Sequence, residues 1–226
     1  MSQIDKLLKR TDIRLLLACY VFFTLFSGID LWVSSLFYKP ELGFWLDDLW
    51  FNRFIHATFA KIHLLWLVLF IAGAIYYWKK GVKSRQKAFV FLIATMVVGP
   101  GLFVNVFVKD NSVGRARPVQ IEEFGGENRF TPAFIYSGAC KKNCSFVSGH
   151  SAIGFYAIVL GWVFTSRRWF WGGVGLGAII SLSRMMEGAH FLSDTVFAFW
   201  AVYFCTLILG YFFNYPSPFN RTSEST

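Results

Sequence analysis

Apolar residues in this chain come in long runs, not at the spacing of a one-sided helix or strand. The runs cover about 13–36, 57–78, 88–108, 150–164, 169–186 and 191–213. A helix rising about 1.5 Å per residue needs about 20 apolar residues to cross a hydrocarbon layer. Lipid offers no partner to backbone N–H and C=O groups, so each crossing segment must satisfy its own. The pattern predicts an all-α integral membrane bundle of six transmembrane helices, one domain over 1–226. Between the first two runs, Phe44, Trp45, Leu49, Trp50 and Phe51 alternate with Glu41, Asp47, Asp48 and Arg53, a mix suited to the headgroup layer.

Composition agrees. Only 15% of residues are charged and 55% are hydrophobic, against about 25% charged in a soluble domain. The net charge of +9 raises the question of nucleic acid, but the basic residues sit in the short segments between apolar runs. That placement points to topology and anionic lipid, with no nucleic-acid partner. Lys6, Lys9 and Arg10 before the first run resemble a signal-peptide start, yet no A-x-A site follows, and the run reads as an uncleaved first span.

Lys79, Lys80, Lys83, Arg85 and Lys87, then Arg167 and Arg168, must share the cytoplasmic side with the N-terminus. Six spans place them there, together with the C-terminal tail and Arg221. The opposite face then holds 38–56, the 109–147 loop and the turn at 188–194. The polar residues that call for explanation all fall on that extracytoplasmic face. An anion transporter or channel would need charges near the bilayer midplane instead.

Three clusters meet there: Lys109 with Arg115 and Arg117, then Ser148-Gly149-His150, then Ser183-Arg184 with His190 and Asp194. His190 and Asp194 are four residues apart, a spacing that puts both on one face of a helix and lets the carboxylate orient the ring. Lys109, Arg117 and Arg184 suit a phosphate, the arginines through their fork. Ser148 brings a hydroxyl, and the amides at Ser148 and Gly149 would open a helix, where N–H groups favour an anion. His150 suits a general acid and His190 an in-line nucleophile. With cations to balance charge, no metal or cofactor is required.

The order K-x6-RP, P-S-G-H, S-R-x5-H-x3-D resembles the type 2 phosphatidic acid phosphatase superfamily, of membrane lipid phosphatases and soluble vanadium haloperoxidases. The third motif matches in full at Ser183, Arg184, His190 and Asp194. In the second, Val147 takes the proline's place. In the first, seven residues separate Lys109 from Arg117 where the family has six, so either Arg115 substitutes for Lys109 as a phosphate ligand or a loop bulge absorbs the extra residue. The resemblance covers about 99–200 and implies His190 as nucleophile, Asp194 as its partner and His150 as acid.

Gly99-Pro100-Gly101-Leu102, Gly114-Arg115-Ala116-Arg117-Pro118-Val119 and Cys140 to Val147 look like the bacterial lipid A 4′-phosphatase subgroup. By that resemblance the substrate is lipid A. Undecaprenyl pyrophosphate, phosphatidylglycerol phosphate and phosphatidic acid are the alternatives. The site would then face the periplasm from the inner membrane of a bacterium. Cys140 and Cys144 lie in the outer loop, where an oxidising environment permits a small-ring disulfide. His56 and His63 read either as lining the site or, more readily, as core or interfacial histidines. Asp30, inside the first span, reads equally as a functional carboxylate and as a residue reaching for the interface.

Overall fold

The computed structural model describes residues 10–109 and 113–219, the side chains of 105–109 excepted. Lys6, Lys9, Arg221 and the Lys109 side chain therefore lie outside the described residues. The chain is predominantly helical. Helices α1 (Thr11–Leu25) and α2 (Gly28–Ser35) precede a minimal hairpin of β1 (Tyr38–Lys39) and β2 (Gly43–Phe44). Helix α3 (Trp50–Lys79) returns, and α4 (Lys83–Met96) continues as a π-helical stretch, Val97–Lys109. A long loop with two single 3-10 turns leads to α5 (Gly149–Phe155), a 3-10 turn and α6 (Val159–Val163). Helices α7 (Arg167–Met186) and α8 (Leu192–Phe212) complete the bundle.

Among the described residues, three helices are long and apolar enough to cross a membrane: Trp50–Lys79, Lys83–Val104 and Leu192–Phe212. A fourth is counted if α1 and α2 form one span. Their sequence pattern predicts a continuous helix, whereas the structure bends by 80° between them. The break is Phe26-Ser27, just before Gly28, where a residue of low helix propensity follows a serine that competes for backbone bonds. The bend has a use: it lets α2 deliver Asp30 to the site described below. The fourth run is also broken, since α5, the 3-10 turn and α6 share 149–163. The π-helical stretch contains Pro100, which lacks the N–H that a regular α-turn needs.

The bundle core gathers Phe91, Phe146, Phe155, Trp162, Phe197 and Tyr203. By contrast α3 buries only Asn52, Ile55 and Phe59, so most of its apolar surface faces outward as lipid contact requires. In lipid, helices associate through close packing and hydrogen bonds, and small residues permit that approach. Gly173 of α7 shows the rule: a Cβ there would lie 2.4 Å from the Ile158 backbone nitrogen. The fit seats α5 and α6 against α7, with the start of α5 near the end of α7. Tyr156 Oη donates to the Leu92 carbonyl (2.7 Å) and ties the same unit to α4.

Candidate active site

Three segments distant in sequence meet at one end of the bundle. The turn after α7 reverses at Gly188, whose φ is +60° and whose missing Cβ leaves room for the Phe44 ring. Its carbonyl accepts from Val119 N (3.1 Å), which fastens the long loop beside it. Ser148 N donates to the Asp194 carbonyl (3.2 Å), joining the start of α5 to the start of α8. His150 and His190 are thereby carried to the same end.

His190 is not on a helix. It lies in the turn before α8, and its ring is 1% exposed. The helical-face argument from its spacing to Asp194 is corrected accordingly. Nδ1 sits 2.8 Å from the Ser145 carbonyl and 3.6 Å from Asp194 Oδ2. A carbonyl oxygen only accepts, so Nδ1 carries the proton and Nε2 the lone pair. The Ser145 carbonyl takes the shorter of these two contacts, while Asp194 adds its charge and a longer bond to the same ring. Asp194 in turn accepts from Ser145 Oγ (2.5 Å) and Phe191 N (2.8 Å), and so also caps α8.

Arg115 departs from its expected role. Its side chain is 0% exposed, and its donors point into the protein. Nη1 reaches Asp194 Oδ1 (2.7 Å) and Ser193 Oγ (2.8 Å), Nη2 reaches Asp30 Oδ2 (2.8 Å), and Nε reaches the Thr131 carbonyl (2.8 Å). The guanidinium also lies over the Phe191 ring, 4.1 Å from its centroid. Arg115 is thus the counter-ion of two buried carboxylates, with no face turned to a phosphate. Asp30 accepts in addition from Ser193 N (2.9 Å) and Ser193 Oγ (2.5 Å). Its burial and its pairing with Arg115 exclude the interfacial reading of Asp30 and make it a brace for the residues beside His190.

The other cations are placed differently. Arg184 ends α7, is 3% exposed and pairs with Glu187 through Nη1. Its Nε is buried and has no hydrogen-bond partner among the described residues. A buried unpaired donor costs about 1–3 kcal/mol, more when charged, and an anion oxygen would remove that cost. Arg117 is half-buried, with Nη2 donating to the Asn143 carbonyl (3.0 Å). Burial works against its charge, and Asp194 and Glu187 offset this. Lys109 cannot be placed, its side chain lying outside the described residues.

Ser148 is fully buried as the N-cap of α5, its oxygen accepting from Ser151 N (3.3 Å) and Ser151 Oγ (2.8 Å). The expected phosphate contact of its amide is corrected, since that N–H binds Asp194; its hydroxyl accepts at the cap and keeps its own O–H as a donor. Gly149 is buried at the helix start, and His150, next along, is partly exposed. Cys140 and Cys144 are joined in a disulfide, Cα atoms 5.5 Å apart. It braces the stretch that ends in Ser145, the residue that holds His190.

Glu187 enters without having been read as a site residue, and for His56 the geometry favours the site-lining reading over the core one. The His56 ring centroid is 5.1 Å from that of His150, and its Nδ1 is 3.8 Å from Glu187 Oε2. A lone histidine near a span end carries no signal, but a glutamate between Arg184 and His190 in a membrane chain does. A groove of about 1600 Å³ between α1, α7 and α8 contains none of the predicted site residues and is walled by side chains such as Leu15, Trp171 and Phe199.

A family model described as the PAP2 superfamily matches 88–218. A lipid A 4'-phosphatase of Francisella tularensis subsp. novicida is 35% identical over 202 residues, covering 84% of this chain and 88% of that protein. One from Rhizobium leguminosarum is 33% identical over 197 residues, covering 77% and 82%. One from Rhizobium etli is 39% identical over 106 residues, covering 45% and 40%. No solved structure matches this chain.

Proposed function

The chain belongs to the PAP2 superfamily and is a membrane lipid phosphatase, and from that premise we propose that it removes the 4′-phosphate of lipid A by a phosphohistidine route. The reading takes its substrate from the relatives above, two of which align over most of both chains. The chemistry rests on the tautomer of His190: the Ser145 carbonyl holds the proton on Nδ1, and Nε2 attacks phosphorus. The P–N bond forms as the P–O bond to the sugar breaks, and His150 delivers a proton to the departing oxygen. Asp194, 3.6 Å from Nδ1, stabilises the positive ring that results. Water then attacks the phosphohistidine with His150 taking its proton, and inorganic phosphate leaves. Arg184 and Arg117 balance the equatorial oxygens. No step needs a metal.

The observation that carries this reading is the His190 ring oriented by the Ser145 carbonyl, six residues along the chain from an Arg184 whose buried Nε has no hydrogen-bond partner among the described residues. The same reading places six helical crossings in a single domain in the bacterial inner membrane, both termini cytoplasmic and the site periplasmic. The Cys140–Cys144 disulfide supports that side, since periplasm is oxidising. The test is phosphate release in detergent from lipid A carrying only the 1- or only the 4′-phosphate, with undecaprenyl pyrophosphate, phosphatidylglycerol phosphate and phosphatidic acid alongside. The 4′ species should be turned over fastest, without divalent ions, with inhibition by vanadate and loss in His190→Ala. Preference for another lipid would overturn the substrate, and full turnover by His190→Ala the mechanism.

A further inference from the structure

In an in-line transfer the attacking nitrogen and the departing oxygen lie on opposite sides of phosphorus. With His190 attacking and His150 acting as acid, any group packed on His150 belongs to the leaving-group side. His56 is that group: the two rings meet edge to face, at 83°, with centroids 5.1 Å apart. Its side chain is 54% exposed, whereas that of His190 is 1% exposed, so His56 is much the more accessible imidazole. Behind it stands Glu187, 6% exposed, which accepts from Ser183 Oγ (3.2 Å) and pairs with Arg184. The other charges acting on the ring belong to Arg184, Asp47 and Arg117.

A carboxylate facing Nδ1 favours the proton there, which leaves Nε2, on the far side of the ring, as an acceptor. We propose that His56, oriented by Glu187, contacts the leaving group and accepts a hydrogen bond from an O–H or N–H donor on it, which selects a sugar as the alcohol released. This deepens the phosphatase reading and rests on it. His56 is then a specificity-determining residue, and Glu187 a positioning residue that acts through it.

The test compares kcat and KM of the full-length protein in detergent on lipid A and on an aryl phosphate, whose leaving group bears no such donor. His56→Ala should lower the ratio of the two kcat/KM values by about 5- to 10-fold, the worth of one neutral hydrogen bond, mainly through KM for lipid A. His56→Gln, which keeps an acceptor oxygen, should restore part of it. Glu187→Gln should move the ratio in the same direction, although Arg184 serves both substrates. An unchanged ratio in His56→Ala, with wild-type turnover intact, would overturn this inference alone. A wild-type protein inert on both compounds would overturn the phosphatase reading and this inference with it.

Discussion

Arg115 faces two carboxylates from two helices, so either partner reports on how firmly His190 is held. Asp30→Asn keeps the shape of the contact and removes one charge. Breaking a buried pair typically costs about 3–5 kcal/mol, so the melting midpoint in detergent should fall clearly. Phosphate release should drop by about tenfold or more as Asp194 and Ser193 lose their shared brace. Arg115→Lys should not rescue, because an ammonium lacks the fork that reaches Asp30, Ser193 and Asp194 together. Wild-type turnover in either variant would remove the brace from the account.

Glu187 predicts a pH effect. Burial pushes its carboxyl above the ordinary 4.5, against the pull of Arg184 and the hydrogen bond from Ser183, while Asp47 adds to the rise. A raised folded value means that the folded chain holds the proton more tightly than the unfolded one. The contribution to stability is full below pH 4.5 and is lost as pH rises through the raised value. Relative to wild type, Glu187→Gln should therefore gain stability as pH is taken upward from about that point toward neutrality. Two melting curves that stay parallel over this range would contradict the assignment.

Among the elements, α7 carries the clearest test. A Cβ on Gly173 would meet the Ile158 backbone nitrogen at 2.4 Å, while one on Gly172 would meet nothing within 4 Å. Gly173→Ala should cost about 1–3 kcal/mol through overpacking. Gly172→Ala should be neutral or gain about 0.5–1 kcal/mol from helix propensity. Thermal melts of the two variants check the contrast, and a similar loss in both would show that α5, α6 and α7 are not locked by close approach. The α1–α2 bend follows another logic. Ser27-Gly28 makes the break inexpensive, but the ion pair of Asp30 with Arg115 fixes where the second segment goes.

For the molecule as a whole, the proposed topology makes a measurable claim. Reporter fusions after Gly81 and after Thr165 should be active on the cytoplasmic side, and a cysteine-reactive probe outside the membrane should reach the Cys140–Cys144 loop after reduction. Fusions that report opposite sides would dissolve the six-crossing arrangement. Among the described residues three helices pass as spans on length and composition alone. The remaining runs were readable as apolar, yet their breaks were not, because hydropathy counts transfer energy and is blind to bends, 3-10 turns and helix irregularity.

The sequence by itself determined that this chain is helical and built for lipid, since long apolar runs have no other stable form there. It also determined which side chains have the chemistry for phosphate, since few residue types supply a nucleophile, an acid and a cation. Tertiary structure decided which of them turn toward one another. The seven-residue gap before Arg117 left Arg115 looking like a ligand, and only the packing of α2 against α8 gave it two carboxylates instead. The proton on His190 likewise depends on a carbonyl at Ser145, 45 positions away, because a backbone group has no signature in the sequence until the fold aims it.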